Sequence, residues 1–283
     1  MDSVSYNIYN TPVTKGVAIA WVNSYSAVVV KTASATLLFD PVGMEVPAGT
    51  ALDLIAITHG HLDHWEPKLV SKIQSRTGST VVAPPFLADK LVKQRGNEIP
   101  PTALLERGNT SSDITCGRSR RKGEDRVGKG DKEGKEDIVS LMPGDEIKVG
   151  ATTVTALRCD HAAVEPLAFQ VSTPDGLTVY LPGDTTPFHE MGDLPLSRAG
   201  SGAGKSGTGK GTERRVDVLC WMGTALTDGA KISHLVQPKI VLSYAITPPA
   251  AGKRAYDILT GLTSDIPFQP LDRHQVFLWP VGD

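Results

Sequence analysis

Cysteine is scarce in this chain, with only Cys116, Cys159 and Cys220 among 283 residues. Three scattered thiols cannot build a disulfide framework, and their number fits a reducing compartment. Long apolar runs are missing too: no segment approaches the roughly 18 uninterrupted apolar residues of a membrane-spanning helix. The opening residues, MDSVSYNIYNTPVTKG, lack a basic stretch followed by an apolar run and a small-residue cleavage site, so the expected location is cytoplasmic, with no membrane partner. A surplus of either charge is also absent. The formal net charge of −2 gives no whole-chain reason to expect a nucleic-acid or membrane partner, so function has to be read from local sites. No internal repeat is visible.

What is present is an ordinary globular composition, 40% apolar and 21% charged, enough to bury a substantial core. VAIAWVNSYSAVVV, ATLLFDPVG and LDLIAITHG are short apolar, β-branched runs punctuated by Gly, Ser, Asn or Pro, and they read as successive strands. Pro67 suits the first turn of a helix in which Leu69, Val70 and Ile73 form one face. TVVAPP reads as a strand and FLADKLVKQRG as a second helix. Further strands are expected in IVSLMPGDEIKVGATTVTALRCDH, with PGDEIKVG taken as a hairpin connection, and in PLAFQVSTPDGLTVYLPGDT, VDVLCWMG, KIVLSYA and QVFLWP. Helices are expected in DGAKISHLVQ and near RAYDILTGL. Two strand-rich halves with helices between strands imply a layered α/β protein, organised as one domain over 1–283.

Two stretches depart from this pattern. Residues 108–137 contain almost no large apolar side chains, and Arg118 to Asp137 holds eight basic and six acidic residues; 197–215 is rich in Gly, Ser and Lys. Both read as flexible surface insertions. The basic run Arg118, Arg120, Arg121 and Lys122 raises an RNA-binding reading, but the acids that follow offset it, so nucleic acid is not the expected partner. Ala199–Ser206, AGSGAGKS, satisfies a loose phosphate-loop pattern. No apolar strand precedes it and no helix pattern follows, which argues against nucleotide binding.

The chemistry concentrates in ITHGHLDHWEP, residues 57–67, where His59, His61, Asp63 and His64 place four metal-capable side chains in six positions. In a plain strand they would point to opposite faces; in a loop after the strand LIAIT they can converge. Imidazole and carboxylate donors suit zinc, with manganese or iron as alternatives. Trp65 is either a substrate contact or a core residue.

T-H-x-H-x-D-H after an apolar strand resembles the signature of the metallo-β-lactamase superfamily of metal-dependent hydrolases. LLFDPVG, MPGDEIKVGATTVTALRCDH and LTVYLPGDT further resemble segments of the subgroup related to ascorbate-6-phosphate lactonase. The resemblance implies a four-layer αββα sandwich with metals at one edge. It implies His161 as the third ligand of a first metal, beside His59 and His61, and Asp184 as the carboxylate shared with a second metal on Asp63 and His64. It also exposes a gap: the histidine that closes the second site in relatives falls on Ala245, or on Tyr244 in a register shifted by one, with His234 and His274 as potential replacements. NSYSA stands where many relatives carry a glycine followed by histidine.

From this follow one tight divalent metal site and a second that is weak or empty. The expected activity is hydrolysis of an ester, lactone or phosphodiester in a small molecule, by water activated on the metal, with Asp63 and Asp184 orienting that water and accepting its proton. The alternatives are a nucleic-acid phosphodiesterase of the same fold and a non-catalytic member with a defective second site.

Overall fold

The computed structural model describes residues 7–98, 114–117, 137–194, 196, 216–223, 226–245, 261 and 265–280. The apolar runs become strands because most of them are covered on both faces. A short helix, α1 (Asn7–Asn10), precedes β1 (Val17–Trp21), β2 (Val28–Thr32), β3 (Thr36–Phe39) and β4 (Leu54–Ala56). Helix α2 (Pro67–Thr77), β5 (Thr80–Ala83), helix α3 (Pro85–Glu98), β6 (Ile114–Gly117) and β7 (Ile138–Ser140) follow. Then come β8 (Glu146–Val149), β9 (Thr152–Arg158), β10 (Leu167–Ser172) and β11 (Thr178–Leu181). A 3-10 turn (His189–Asp193) leads on to β12 (Val216–Met222), α4 (Leu226–Val236), β13 (Pro238–Tyr244), β14 (Phe268–Pro270) and β15 (Val276–Trp279).

These strands form two mixed sheets, ordered β15-β1-β2-β3-β4-β5-β7 and β14-β13-β12-β11-β10-β9-β8-β6. In the first, β3, β4, β5 and β7 run parallel; in the second, β11, β12, β13 and β14 do. Alternate residues of one strand serve different layers, as the two-residue strand period requires. Ile19 joins the cluster between the sheets, while Ala18 and Ala20 join the one beneath α2 and α3. Phe39 meets Phe169 across the sandwich with ring centroids 5.8 Å apart. A third cluster packs Ala230, Ile232 and Val236 of α4 on the second sheet. The layering is therefore helix, sheet, sheet, helix, the αββα sandwich expected from the sequence.

Helix α2 begins at Pro67, whose missing N–H is no loss in a first turn, and stops at Gly78, a left-handed residue at φ 70° donating to the Gln74 carbonyl. Trp65 is 7% exposed inside the helix-side cluster of the first sheet, which assigns it to the core.

Two expectations need correction. PGDEIKVG is not only a connection: Glu146–Val149 is itself strand β8, paired antiparallel with β9, and the chain reverses at Gly150 (φ 58°). The reason is visible in its alternation, with Ile147 and Val149 buried and Glu146 and Lys148 outward. Within 108–137, Ile114–Gly117 forms β6, which pairs with β8, so that stretch contributes an edge strand rather than insertion alone. The remainder of 108–136, the insertion 197–215 with its AGSGAGKS run, and all but Gly261 of the helix expected near RAYDILTGL lie outside the described residues. Among those that are described, no helix is long and apolar enough to cross a membrane.

Candidate metal centre

The parallel runs of both sheets end at one edge of the sandwich; β4 and β11 of those runs deliver donors there, and so does β9, which lies outside them, antiparallel to β8 and β10. β4 leads into Thr58–His64, β9 into His161 and β11 into Asp184. Carboxyl ends of parallel strands are a recurrent place for ligand sites because loops converge there around a crevice.

Local contacts fix each loop. The Thr58 carbonyl accepts from Leu167 N at 2.9 Å, which ties the motif to the opposite sheet. Gly183 adopts φ 60°, and a Cβ there would lie 3.3 Å from the Thr58 Cβ, so glycine lets the loop carrying Asp184 close onto the motif. Asp160 N donates to Thr185 Oγ1 at 2.8 Å, and the Asp160 carbonyl accepts from Thr186 N at 2.8 Å. These bonds lace the His161 loop to the Asp184 loop. A turn from His64 N to the His61 carbonyl, 3.0 Å, folds the motif back on itself.

All six expected residues come together. His59, His61, His161 and Asp184 form one group and Asp63, His64 and Asp184 a second; each residue offers a donor atom, and these atoms lie within 4.8 Å of one another. His59 is fully buried, and its ring lies 4.6 Å from those of His61 and His161 and 4.1 Å from that of His64, between centroids. His61 Nδ1 and His161 Nε2 approach to 3.0 Å. Asp184 stands between the groups, with Oδ2 3.9 Å from His59 Nε2 and 4.0 Å from His161 Nε2. Its Oδ1 is 3.4 Å from His64 Nε2.

Behind these donors lies a network built on Asp40 and Thr58, neither of which is among the expected ligands. Asp40, 3% exposed, accepts from Thr58 N at 2.7 Å and from Thr58 Oγ1 at 2.7 Å. It also accepts from His64 Nδ1 at 2.9 Å. The single hydroxyl hydrogen of Thr58 is committed to Asp40, so its oxygen accepts from His59 Nδ1, 2.9 Å away. Both imidazoles are thereby held with Nε2 directed into the cluster, as outer partners of metal-binding histidines generally do. Ser26 Oγ donates to the Asp63 carbonyl and holds that turn. The available signal was the Asp-Pro pair at the end of the strand preceding the motif.

A cation fits this cradle. His59 Nε2 is buried without a hydrogen-bond partner, and buried His64 Nε2 and Asp184 Oδ1 only face each other as an ion pair at 3.4 Å, an arrangement folded proteins avoid unless another species satisfies the atoms. Electrostatics agree. Burial is the largest influence on His59 and, with His64 beside it, holds that imidazole down to about 4, so it presents a lone pair. Burial likewise lowers His161. Burial opposes charge on Asp184, but His64, His59 and His161 outweigh it and keep the carboxylate ionised.

The second group has three protein donors, and among the described residues no further His, Cys, Asp or Glu joins it. His234 is exposed at the end of α4. The whole length of β13, about 20 Å at ~3.3 Å per residue, separates it from the site edge. His274 is held by its N–H to the Trp21 carbonyl, 2.7 Å, and belongs to neither group. Inward positions of β13 are Ile240, Leu242 and Tyr244; Ala245, at φ 58°, breaks the alternation, so it and Tyr244 both pack on the inter-sheet cluster. Burial raises the Tyr244 hydroxyl well above its usual range, and Asp40 and Asp184 add to the effect. Histidine tolerates the left-handed region better than most residues. Ala245→His is therefore expected to tighten binding of a second metal equivalent about tenfold or more, since even outer-shell partners are worth ~10–100-fold. Metal titration of the variant against wild type checks this, and an unchanged second equivalent would show that position 245 does not face the site.

The comparisons agree with this fold. The model of the beta-lactamase superfamily domain matches residues 18–194, more than half of the chain. No curated protein matches the sequence. Among solved structures, the fold is similar to a metallo hydrolase from the hyperthermophilic archaeon Ignicoccus hospitalis, at 15% identity and TM-score 0.60, covering 95% of this chain and 100% of that one. It is similar to the metallo-beta-lactamase fold protein YhfI from Bacillus subtilis, at 12% identity and TM-score 0.59 over 93% of this chain and 99% of that one. CmlA, a diiron beta-hydroxylase from Streptomyces venezuelae, matches 95% of this chain with 55% of its own, at 13% identity and TM-score 0.60.

Proposed function

Since the chain belongs to the beta-lactamase superfamily, we propose that it is a metal-dependent hydrolase of small molecules bearing an ester, lactone or phosphodiester bond. The observation that carries this reading is the pair of donor groups sharing Asp184, with His59 Nε2 buried and without a hydrogen-bond partner among them. His59, His61 and His161 would hold a first ion, with Asp184 beside them; three imidazoles are the donor set of catalytic zinc, and manganese or iron are the alternatives. When bound, the ion lowers the pKa of water toward about 7 and polarises the carbonyl or phosphoryl oxygen under attack.

The remaining work falls to this chain's carboxylates. Asp184, kept ionised by its histidine neighbours, orients the attacking water. Asp63, whose side chain is 44% exposed, lies nearest solvent and accepts the water's proton at a carboxylate oxygen. Asp40 and Thr58 hold His59 and His64 in their reactive orientation and touch no substrate. The lactonase-like segments favour a lactone within this class. Buried Cys159 and Cys220 thiols suit a reducing, cytoplasmic setting.

The test compares wild type with His61→Ala on generic lactone, carboxylic ester and phosphodiester substrates in the presence of zinc or manganese. Hydrolysis of at least one class by wild type, reduced at least about 10²-fold in the variant, is expected. No hydrolysis by metal-loaded wild type would favour a non-catalytic member. Activity confined to RNA or DNA would favour a nuclease.

A further inference from the structure

The mouth of the metal centre carries apolar side chains that no packing requirement explains. Leu62, between His61 and Asp63, is 88% exposed, the most exposed large apolar residue described; Val164, three residues past His161, is 54% exposed. Tyr25 is 47% exposed and Phe86 42%. Leu62, Val164 and Tyr25 come from three different loops and Phe86 from the first turn of α3. Ser26, next to Tyr25, holds the Asp63 carbonyl. Phe86 N donates to Glu165 Oε2 at 2.9 Å, pinning the Val164 loop to α3, and Glu165 takes a left-handed φ of 50° to do so. Leu62 adjoins His61 and Val164 follows His161, and the ring nitrogens of these two histidines lie 3.0 Å apart, so both apolar residues flank the metal centre; exposed apolar side chains gathered at one site are uncommon on a soluble surface unless something binds there.

The charges around this rim argue about what binds. The nearby acids, Glu66, Asp160 and Glu165, would repel a polyanion. Among the described residues, the cations of these loops are engaged: Lys90 lies 4.3 Å from the centroid of the Phe86 ring and Arg273 donates to Ser24 Oγ at 2.8 Å. We propose that this rim is an acyl-binding subsite, and that the substrate is an uncharged ester or lactone whose aliphatic chain lies over Leu62 and Val164. This deepens the hydrolase reading and rests on it.

The decisive experiment uses zinc-loaded full-length protein and straight-chain monocarboxylates from acetate to octanoate as probes, with affinities read by calorimetry. The same series is run as p-nitrophenyl esters for hydrolysis. The dissociation constant is expected to fall about two- to fourfold per added methylene. Leu62→Ser and Val164→Ser, at exposed positions and checked for metal content, are expected to flatten that slope. Affinity independent of chain length, no detectable octanoate binding, or a wild-type slope in both variants would overturn the subsite. So would concentration-dependent dimerisation lost in Leu62→Ser without chain-length dependence, which would assign the rim to a second copy. Chain-dependent binding with no hydrolysis would sink the hydrolase reading and leave the subsite. Hydrolysis indifferent to chain length would do the reverse.

Discussion

Asp40→Ala is expected to destabilise the fold by about 3–5 kcal/mol and to weaken the first metal by about 10–100-fold, although Asp40 is in neither donor group. Its buried carboxylate accepts three hydrogen bonds, two from Thr58 and one from His64. Alanine would strand the Thr58 N–H and the His64 Nδ1–H without water or acceptor, and unpaired buried donors are among the most damaging products of a point mutation. The backbone compounds the loss: Asp40 sits at φ 48°, a region Asp visits and Ala avoids. Thr58 would then no longer be held as an acceptor for His59, so the effect reaches the first metal through one hydroxyl. In a chain of this size the thermal midpoint should drop on the order of 10 °C. Asp40→Asn, which keeps an acceptor and the left-handed tolerance, should recover part of the stability. Thermal unfolding and metal titration of both variants measure this, and a drop under about 1 kcal/mol for Asp40→Ala would contradict the network's role.

The second large effect is a dependence on pH that separates the two metal equivalents. In the metal-free protein burial disfavours charge on His64, but Asp40 and Asp184 outweigh it and raise the imidazole to about 10. At neutral pH, Nε2 therefore carries a proton where a second ion would bind. Ion uptake must displace it, so affinity falls as pH falls, by up to about tenfold per unit below that pKa. An ion already in the first site repels the proton and lowers the pH at which the slope ends, without changing its sign. His59, held down to about 4, imposes no such penalty on the first equivalent near neutrality. Between pH 6 and 8 the second equivalent should strengthen with rising pH for as long as His64 still holds that proton, and its uptake should release the proton. Titration calorimetry in buffers of different ionisation enthalpy counts that proton. The same pair stabilises the metal-free fold in full below pH 6.5, and its contribution disappears as pH rises through about 10.

Much of the site was readable because its donors lie in short contiguous text. The His59–His64 cluster needs only a loop after a strand, and His161 and Asp184 were implied by the resemblance of their segments to the family. Asp40 and Thr58 were harder, since their importance comes from tertiary contacts between β3 and the motif. The left-handed Ala245, which turns two consecutive side chains inward, has no marker in a sequence where glycine or asparagine would signal such a backbone. Strand β8 was hidden by the turn residues of PGD just before it, although the alternation of EIKV carried the correct answer. The apolar rim was invisible for a different reason: Leu62 and Val164 read as ordinary loop residues until folding sets them around the same mouth.

The central claim is that His59, His61, His161 and Asp184 bind one metal tightly, while Asp63 and His64 complete only a weak second site. Elemental quantification of purified wild type and His61→Ala, after dialysis against a moderate chelator at neutral pH, tests it most directly. One equivalent per chain is predicted for wild type and essentially none for the variant. Two retained equivalents in wild type, or a full equivalent in His61→Ala, would contradict the account.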